Sequence, residues 1–235
     1  MNPYLIVIPA YNEEKNIAGV LRGLGEIDLP ADILVVNDGS SDETSAICRR
    51  EEIMVLDLPF NIGYGGAIQT GFLFARDFGY EFVITFDGDG QHSPDSVIAL
   101  IDTMRREGAD VVIGSRFIEG TYQMGVFRKM GVRLFSAITR FFTGTTFSDP
   151  TSGFQLLKRG IFSYLSQGDN YPLDYPDANM IIAMHKKRFK LAEAPVKMRE
   201  KRGKSMHGGL RPVIYVIRMF LSIAVVLMRK EEKEP

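Results

Sequence analysis

Short, uninterrupted runs of Val, Ile and Leu alternate with longer stretches of helical periodicity from the N-terminus to Glu107. Leu5 to Ile8 and Ile33 to Val36 show no polar alternate position, as expected of strands buried on both faces of a sheet. Ile53 to Leu58 and Phe82 to Phe86 continue the series. Between and after these runs, helices are predicted over Tyr11 to Leu24, Thr44 to Arg50, Gly65 to Phe78 and Pro94 to Glu107. Glu13 and Glu14 fall in the first turn of the first helix, where the helix dipole favours acids, and Ser41 or Asp42 serves as cap of the second. Repeated strand–helix alternation predicts an α/β domain with a mostly parallel central sheet flanked by helices. Ligands of such sheets bind beyond the carboxyl ends of the strands. The polar clusters Pro9 to Glu13, Asn37 to Asp42, Asn61 to Gly66 and Asp87 to His92 each follow a predicted strand and so belong to one sheet edge.

The second half of the chain has a different texture. Met124 to Phe142 mixes Arg128, Lys129, Arg133 and Arg140 with large apolar residues at roughly helical spacing, a pattern suited to an amphipathic helix lying on a membrane surface or to a core helix with a basic outer face. Pro212 to Met228 is apolar apart from Arg218 and stops at a charged tail. It is marginal as a membrane span, which needs about 20 apolar residues. An interfacial or partner-docked helix is expected, with a core helix as the alternative. The expected organisation is a catalytic domain over residues 1–210 and an associating helix and tail over residues 211–235.

At 235 residues, nearly half of them apolar, the chain can bury a sizeable core. A formal net charge of −1 argues against nucleic acid as a partner. The single cysteine, Cys48, forms no internal disulfide, and the N-terminal apolar run lacks the length and basic flank of a secretory signal, so a cytoplasmic protein is expected.

Asp87-Gly-Asp89-Gly-Gln91 carries the clearest chemistry. If extended, Asp87 and Asp89 share a face and converge on one divalent cation, with the Gln91 amide oxygen as a further ligand, since Mg²⁺ and Mn²⁺ prefer hard oxygen donors. An Asp-Gly turn formed for conformational reasons predicts the same letters. Pro9-Ala10-Tyr11-Asn12-Glu13 combines a bend, a ring able to stack on a base and a carboxylate able to accept from a ribose hydroxyl, while Asp38 is placed to read a base edge. Asn61-Ile-Gly63-Tyr-Gly65-Gly66 has the spacing of neither a dinucleotide fingerprint nor a P-loop, which excludes a dehydrogenase and a P-loop kinase.

Six segments, in order, resemble the family 2 glycosyltransferases of GT-A fold, particularly the branch containing dolichyl-phosphate mannose synthase and bacterial polyprenyl-phosphate sugar synthases. They are Val7 to Glu13, Val35 to Asp42, Asp87 to His92, Gly114-Ser-Arg116, Asp149-Pro-Thr-Ser-Gly-Phe154 and Glu193-Ala-Pro-Val196. The resemblance implies nucleotide contacts from Pro9, Ala10, Tyr11, Glu13 and Asp38, and a metal, Mg²⁺ or Mn²⁺, on Asp87, Asp89 and Gln91. It implies a mobile basic loop in which Arg199, Lys201, Arg202 and Lys204 close on the donor diphosphate. Asp89 and Arg116 are the catalytic candidates beside Asp177, which matches the general base of relatives that glycosylate hydroxyls. Arg116, Arg128 and Arg133 are candidates for an acceptor phosphate. Many relatives carry two Asp where this chain has Asn37-Asp38, which leaves the choice between UDP and GDP open.

The implied activity is inverting transfer of a sugar from a nucleotide-diphosphate sugar to a polyprenyl phosphate by a peripheral enzyme on the cytosolic membrane face, with a small integral membrane protein as a candidate partner. Transfer to a saccharide hydroxyl during cell-surface polysaccharide synthesis is the alternative. A non-catalytic nucleotide-sugar sensor ranks third.

Overall fold

The computed structural model describes residues 2–118, 126–172, 176–198 and 211–229, with side chains undescribed at 126–128 and 211–214. Among these residues the chain runs β1 (Tyr4–Ala10), α1 (Ile17–Gly25), β2 (Ala31–Asn37), α2 (Thr44–Arg50), β3 (Met54–Asp57), α3 (Tyr64–Asp77), β4 (Phe82–Thr85) and α4 (Ser96–Glu107). It continues with β5 (Val111–Ser115), α5 (Val126–Thr143), β6 (Gln155–Lys158), α6 (Arg159–Leu165), α7 (Ala178–Lys186), β7 (Leu191–Pro195) and α8 (Arg211–Met228). The expected alternation is present, with one shift that matters: the first helix starts at Ile17, not Tyr11. Residues 11–16 instead form a polar loop pinned to the next one, so Glu13 lies outside the helix's first turn.

The seven strands form one sheet in the order β3-β2-β1-β4-β6-β5-β7. β6 alone is antiparallel to its neighbours, β4 and β5, while the remaining pairings are parallel. The reversal has a consequence for the rim. Gln155, the first residue of β6, is in register with Thr85 of β4 and Ile113 of β5, so the segment before it emerges at the edge where the parallel strands end.

Strand periodicity divides the core. Ile6 and Ile8 face one apolar layer with Val20 and Leu24 of α1 and Val97 and Leu100 of α4. Leu5 and Val7 face the other, with Ile68 and Phe72 of α3, Phe162 of α6 and Ile181 of α7. Continuous apolar runs are what a sheet covered on both sides requires. Cys48 is fully buried, and burial pushes its thiol up to about 11.

α8 is not a detached appendage. Met219 and Ile223 are buried with Phe135 of α5 and Ile182 of α7 in a third cluster. Asn179 donates to the Ser222 hydroxyl (2.6 Å), and Lys186 Nζ donates to the Val226 carbonyl (3.0 Å) near the α8 C-terminus, where the dipole favours a cation. Outer residues of both amphipathic helices remain exposed, including Met130 and Phe141 on α5 and Phe220, Leu221 and Met228 on α8. No helix among the described residues is long and apolar enough to cross a membrane.

The contact between α3 and β1 depends on Gly71, where an added methyl would overlap the stiff Val7 side chain. Gly71→Ala is expected to cost about 1–3 kcal/mol by overpacking. Urea unfolding measures this, and adding Val7→Ala should recover part of the loss.

Candidate active site

The first two strand-end loops are stitched together. Asn12 N–H donates to the Ser40 hydroxyl (2.9 Å), Ser41 N–H to Asn12 Oδ1 (2.9 Å), and Glu13 N–H to Thr44 Oγ1 (2.8 Å). The N-cap of α2 is Glu43, which makes no side-chain cap bond, so neither Ser41 nor Asp42 holds the expected position; Asp42 Oδ1 still accepts from Thr44 N–H at 3.0 Å. Asp38 is buried, and its two oxygens accept from Ile62 N–H (2.7 Å) and Gly63 N–H (3.0 Å). This carboxylate therefore holds the third loop against the second, a task its turn-like sequence did not announce. Gly39 adopts φ +69°, and a Cβ there would stand 2.8 Å from Asn61 N, so the close approach of the loops requires glycine. Tyr11 stands at the rim with 51% of its surface exposed, while Ala10 is buried and its carbonyl accepts from Asp38 N–H (2.9 Å).

Asp87 and Asp89 are not presented by an extended strand. β4 ends at Thr85, and both carboxylates lie in the turn that follows, where Gly90 takes φ +73°. Conformation after the strand end places them, so the period-two reading of their side chains does not apply. The turn sits close to the opening loop: a methyl built on Gly88 would lie 3.3 Å from the Pro9 carbonyl oxygen and 3.7 Å from Glu13 Cγ. Gln91 turns back on Asp89, with its N–H donating to Oδ1 at 3.0 Å and its side-chain amide nitrogen also donating to Asp89.

Asp87 is gripped from two sides. His92 Nε2 stands 3.3 Å from Oδ2, and the Tyr64 hydroxyl donates to Oδ1 at 3.3 Å. Burial works against its ionised form, yet the hydrogen bond and attraction of His92, helped by Tyr64 and Arg116, hold the carboxyl below its usual range. Neither His92 nor Tyr64 was expected here. His92 lacks any Cys/His ligand spacing, and its role depends on a buried seat against Phe86 and Phe154, with ring centroids at 5.9 and 4.8 Å. Among the described residues its buried Nδ1 has no hydrogen-bond partner. Among the described residues no group of three His, Cys, Asp or Glu is poised around one metal position. The donor set that is present, two carboxylates with one held ionised, suits a hard cation that completes its shell with substrate phosphate and water.

The segment before β6 forms the opposite wall. Arg116 and Asp149 are both buried and make a two-pronged ion pair, Nε to Oδ2 at 2.5 Å and Nη2 to Oδ1 at 2.7 Å, with Thr151 accepting from Nη2 at 3.1 Å. Arg116 is thus in a buried pair rather than a surface one. Glu193 of β7 accepts from Ser148 N–H (2.8 Å) and Asp149 N–H (2.9 Å), fixing the segment from behind; burial raises its pKa. Gly153 reaches the Tyr64 hydroxyl so closely that any side chain would collide with it.

Asp177 precedes α7, and its Oδ2 accepts from the Tyr215 hydroxyl of α8 at 2.5 Å. Burial, outweighing the Tyr215 hydrogen bond and the attraction of Arg116, raises its pKa to about 7, with Asp149 and Asp87 adding repulsion. These groups therefore share one electrostatic neighbourhood. A cleft of about 730 Å³ between α3, α6, α7 and α8 reaches Tyr171, whose hydroxyl is raised by burial and by the charges of Asp177 and Asp87. Arg133 is exposed on α5. The Arg128 side chain, Arg199, Lys201, Arg202 and Lys204 lie outside the described residues.

The sheet, its reversed strand and the carboxylate turn define a GT-A fold, the architecture of nucleotide-diphospho-sugar transferases. The family model described as Glycosyl transferase family 2 matches residues 5–165, and the chain belongs to that family of glycosyltransferases. It is 28% identical over 211 residues to UDP-N-acetylglucosamine–dolichyl-phosphate N-acetylglucosaminyltransferase of Methanococcus voltae, covering 82% of this chain and 84% of that one. It is 30% identical over 165 residues to polyprenol monophosphomannose synthase of Mycolicibacterium smegmatis, covering 67% and 62% of the two chains. Among solved structures, glucosyl-3-phosphoglycerate synthase from Mycobacterium tuberculosis, in complex with Mn²⁺, UDP-glucose and phosphoglyceric acid, superposes with a TM-score of 0.71 at 19% identity, over 98% of this chain and 81% of that one.

Two outcomes follow from the buried charges. Arg116→Ala leaves Asp149 buried without its cation and should cost about 3–5 kcal/mol in chemical denaturation. Asp177 has a higher pKa folded than unfolded, so between its ordinary value and about 7 the folded state binds the extra proton. Its contribution to stability is full below the ordinary value and is lost as pH rises through 7. Thermal unfolding between pH 5 and 8 should therefore show a decline in the native protein that Asp177→Asn reduces.

Proposed function

We propose that this protein transfers a hexose or N-acetylhexosamine from a nucleotide-diphosphate sugar to a polyprenyl phosphate at a membrane surface, inverting the anomeric carbon. The observation that carries the reading is the lowered pKa of Asp87 in a turn, shared with Asp89, that lies close to the opening loop; in this reading a cation and a diphosphate would meet there. The names of the Methanococcus and Mycolicibacterium relatives support a lipid-phosphate acceptor. The exposed apolar residues of α5 and α8, interspersed with Lys129, Arg133 and Arg140 on α5, suit attachment to anionic lipid.

In this reading Pro9, Ala10, Tyr11, Glu13 and Asp38 form the nucleotide side, and Arg199 and Arg202 close over the diphosphate. Bound Mg²⁺ or Mn²⁺ would be held by Asp87, Asp89 and Gln91 and would supply Lewis-acid neutralisation of the leaving diphosphate. His92 and Tyr64 keep Asp87 oriented for that task. An acceptor phosphate oxygen is already anionic, so it bonds to the anomeric carbon as the bond from that carbon to the diphosphate oxygen breaks. The electron pair leaves with the nucleoside diphosphate, and no proton has to be removed. Arg128 and Arg133 bring cations to the acceptor phosphate, and Arg116, largely neutralised by Asp149, contributes to the field around it. A cytosolic location accords with this donor chemistry.

Transfer to a saccharide hydroxyl is the second reading. It is favoured by one observation, an Asp177 pKa of about 7, suited to a general base at neutral pH.

Purified protein should form a lipid-linked sugar from polyprenyl phosphate in vesicles with one of UDP-glucose, UDP-N-acetylglucosamine or GDP-mannose. Asp89→Asn should lower the rate by about 100-fold or more with the fold intact by circular dichroism. Chelation should stop the reaction and added Mg²⁺ or Mn²⁺ restore it. Failure with every donor, by a protein shown to be folded, would sink the proposal.

A further inference from the structure

The family model ends at residue 165, yet two hydrogen-bonded side chains within the field of Arg116 and Asp149 come from beyond it. Asp177 stands at the start of α7, its N–H donating to Asn179 Oδ1 at 2.8 Å. Tyr215 comes from α8, with its ring edge-on to Phe135 of α5 (centroids 5.7 Å apart) and its hydroxyl on Asp177 Oδ2 at 2.5 Å. We propose that Tyr215 and Asp177 form a hydroxyl–carboxyl pair that selects phosphate as the acceptor. Tyr215 donates to Oδ2, and the carboxyl, carrying its proton on Oδ1, donates to an acceptor phosphate oxygen.

Charge around the pair supports this assignment. Among the described residues, the groups whose fields reach Asp177 include Arg116 at the end of β5, Asp149 before β6, Asp87 after β4, Tyr64 of α3, Tyr171 and Tyr215. Within this described set one guanidinium stands among three carboxyls, and Asp149 is paired with it. An ionised Asp177, with Arg116 already paired to Asp149, would place a negative charge where an anionic phosphate must arrive. A neutral carboxyl instead offers an O–H donor, the single hydrogen-bonding capacity that a carboxylate lacks. The pKa of about 7 keeps that proton available at neutral pH, and burial, its main cause, also strengthens the hydrogen bond it would make. Tyr215 acts as a positioning residue: it occupies Oδ2, and because α8 carries it, the seating of the apolar helix on α5 and α7 becomes part of the acceptor site.

The inference rests on a lipid-phosphate acceptor, and the test separates the two. The pH dependence of transfer to polyprenyl phosphate in vesicles is measured for the native protein, Asp177→Asn and Tyr215→Phe. Titration of Asp177 is followed without substrate by NMR of ¹³C-labelled aspartate, the signal being identified by its loss in Asp177→Asn. The native rate should fall as pH rises through about 7. Asp177→Asn, whose amide still donates, should lose about tenfold at most and lose that alkaline fall. Tyr215→Phe keeps the ring but withdraws the bond that favours the carboxylate, so both the fall and the NMR titration should move to higher pH by about one unit.

A native rate that instead rises through pH 7, with more than about 100-fold loss in Asp177→Asn, would make Asp177 a base and overturn the pair while leaving the transferase standing. A titration unmoved in Tyr215→Phe would remove Tyr215 from it. No transfer to polyprenyl phosphate at any pH would overturn the acceptor class, and the selecting role with it, even if NMR showed the two side chains coupled.

Discussion

A buried guanidinium needs an anion of matching shape, and the wall opposite the carboxylate turn is built on that requirement. Arg116 leaves the end of β5 inside the protein, where an uncompensated charge would be strongly unfavourable. Asp149 meets it with both oxygens, and Glu193 holds the backbone of Ser148 and Asp149 from behind. This chain of contacts ties β5, the segment before β6 and β7 into one unit. The approach of Gly153 to Tyr64 and part of the field felt by Asp177 belong to the same wall.

The two walls divide the electrostatic work. His92 and Tyr64 favour the ionised form of Asp87, whereas Asp177, with a hydroxyl as its main donor, has its pKa raised to about 7. Two carboxyl groups pushed in opposite directions within one site are the usual basis for giving them different roles.

The third apolar cluster connects this chemistry to the outer surface. α5, α7 and α8 share Phe135, Ile182, Met219 and Ile223, and polar links at Tyr215, Ser222 and the α8 C-terminus fasten the last helix along its length. A helix that reads from its letters as an attachment device is also a wall of the core. Its outer residues remain exposed because one helical face can satisfy only one neighbour.

Much of this was legible from residue order. Val and Ile runs fixed the doubly covered sheet, since few other arrangements bury both faces of a strand, and the polar clusters after each run marked the rim. The carboxylates of the Asp87 turn, Arg116, Asp149 and Asp177 were visible as chemistry. Their partnerships were not. The sequence carries no local sign that His92 will orient Asp87, that Asp38 will hold the loop at Gly63, or that Tyr215 will reach back 38 residues to Asp177. Nor does it show that β6 runs in reverse and delivers Asp149 to the same edge. Periodicity and turn chemistry act within a few residues, so the sequence determined the elements and the chemical groups they carry. Strand order, burial and ion pairing act between segments far apart in the chain, and only the tertiary structure decided which groups face one another and which of them keep their protons.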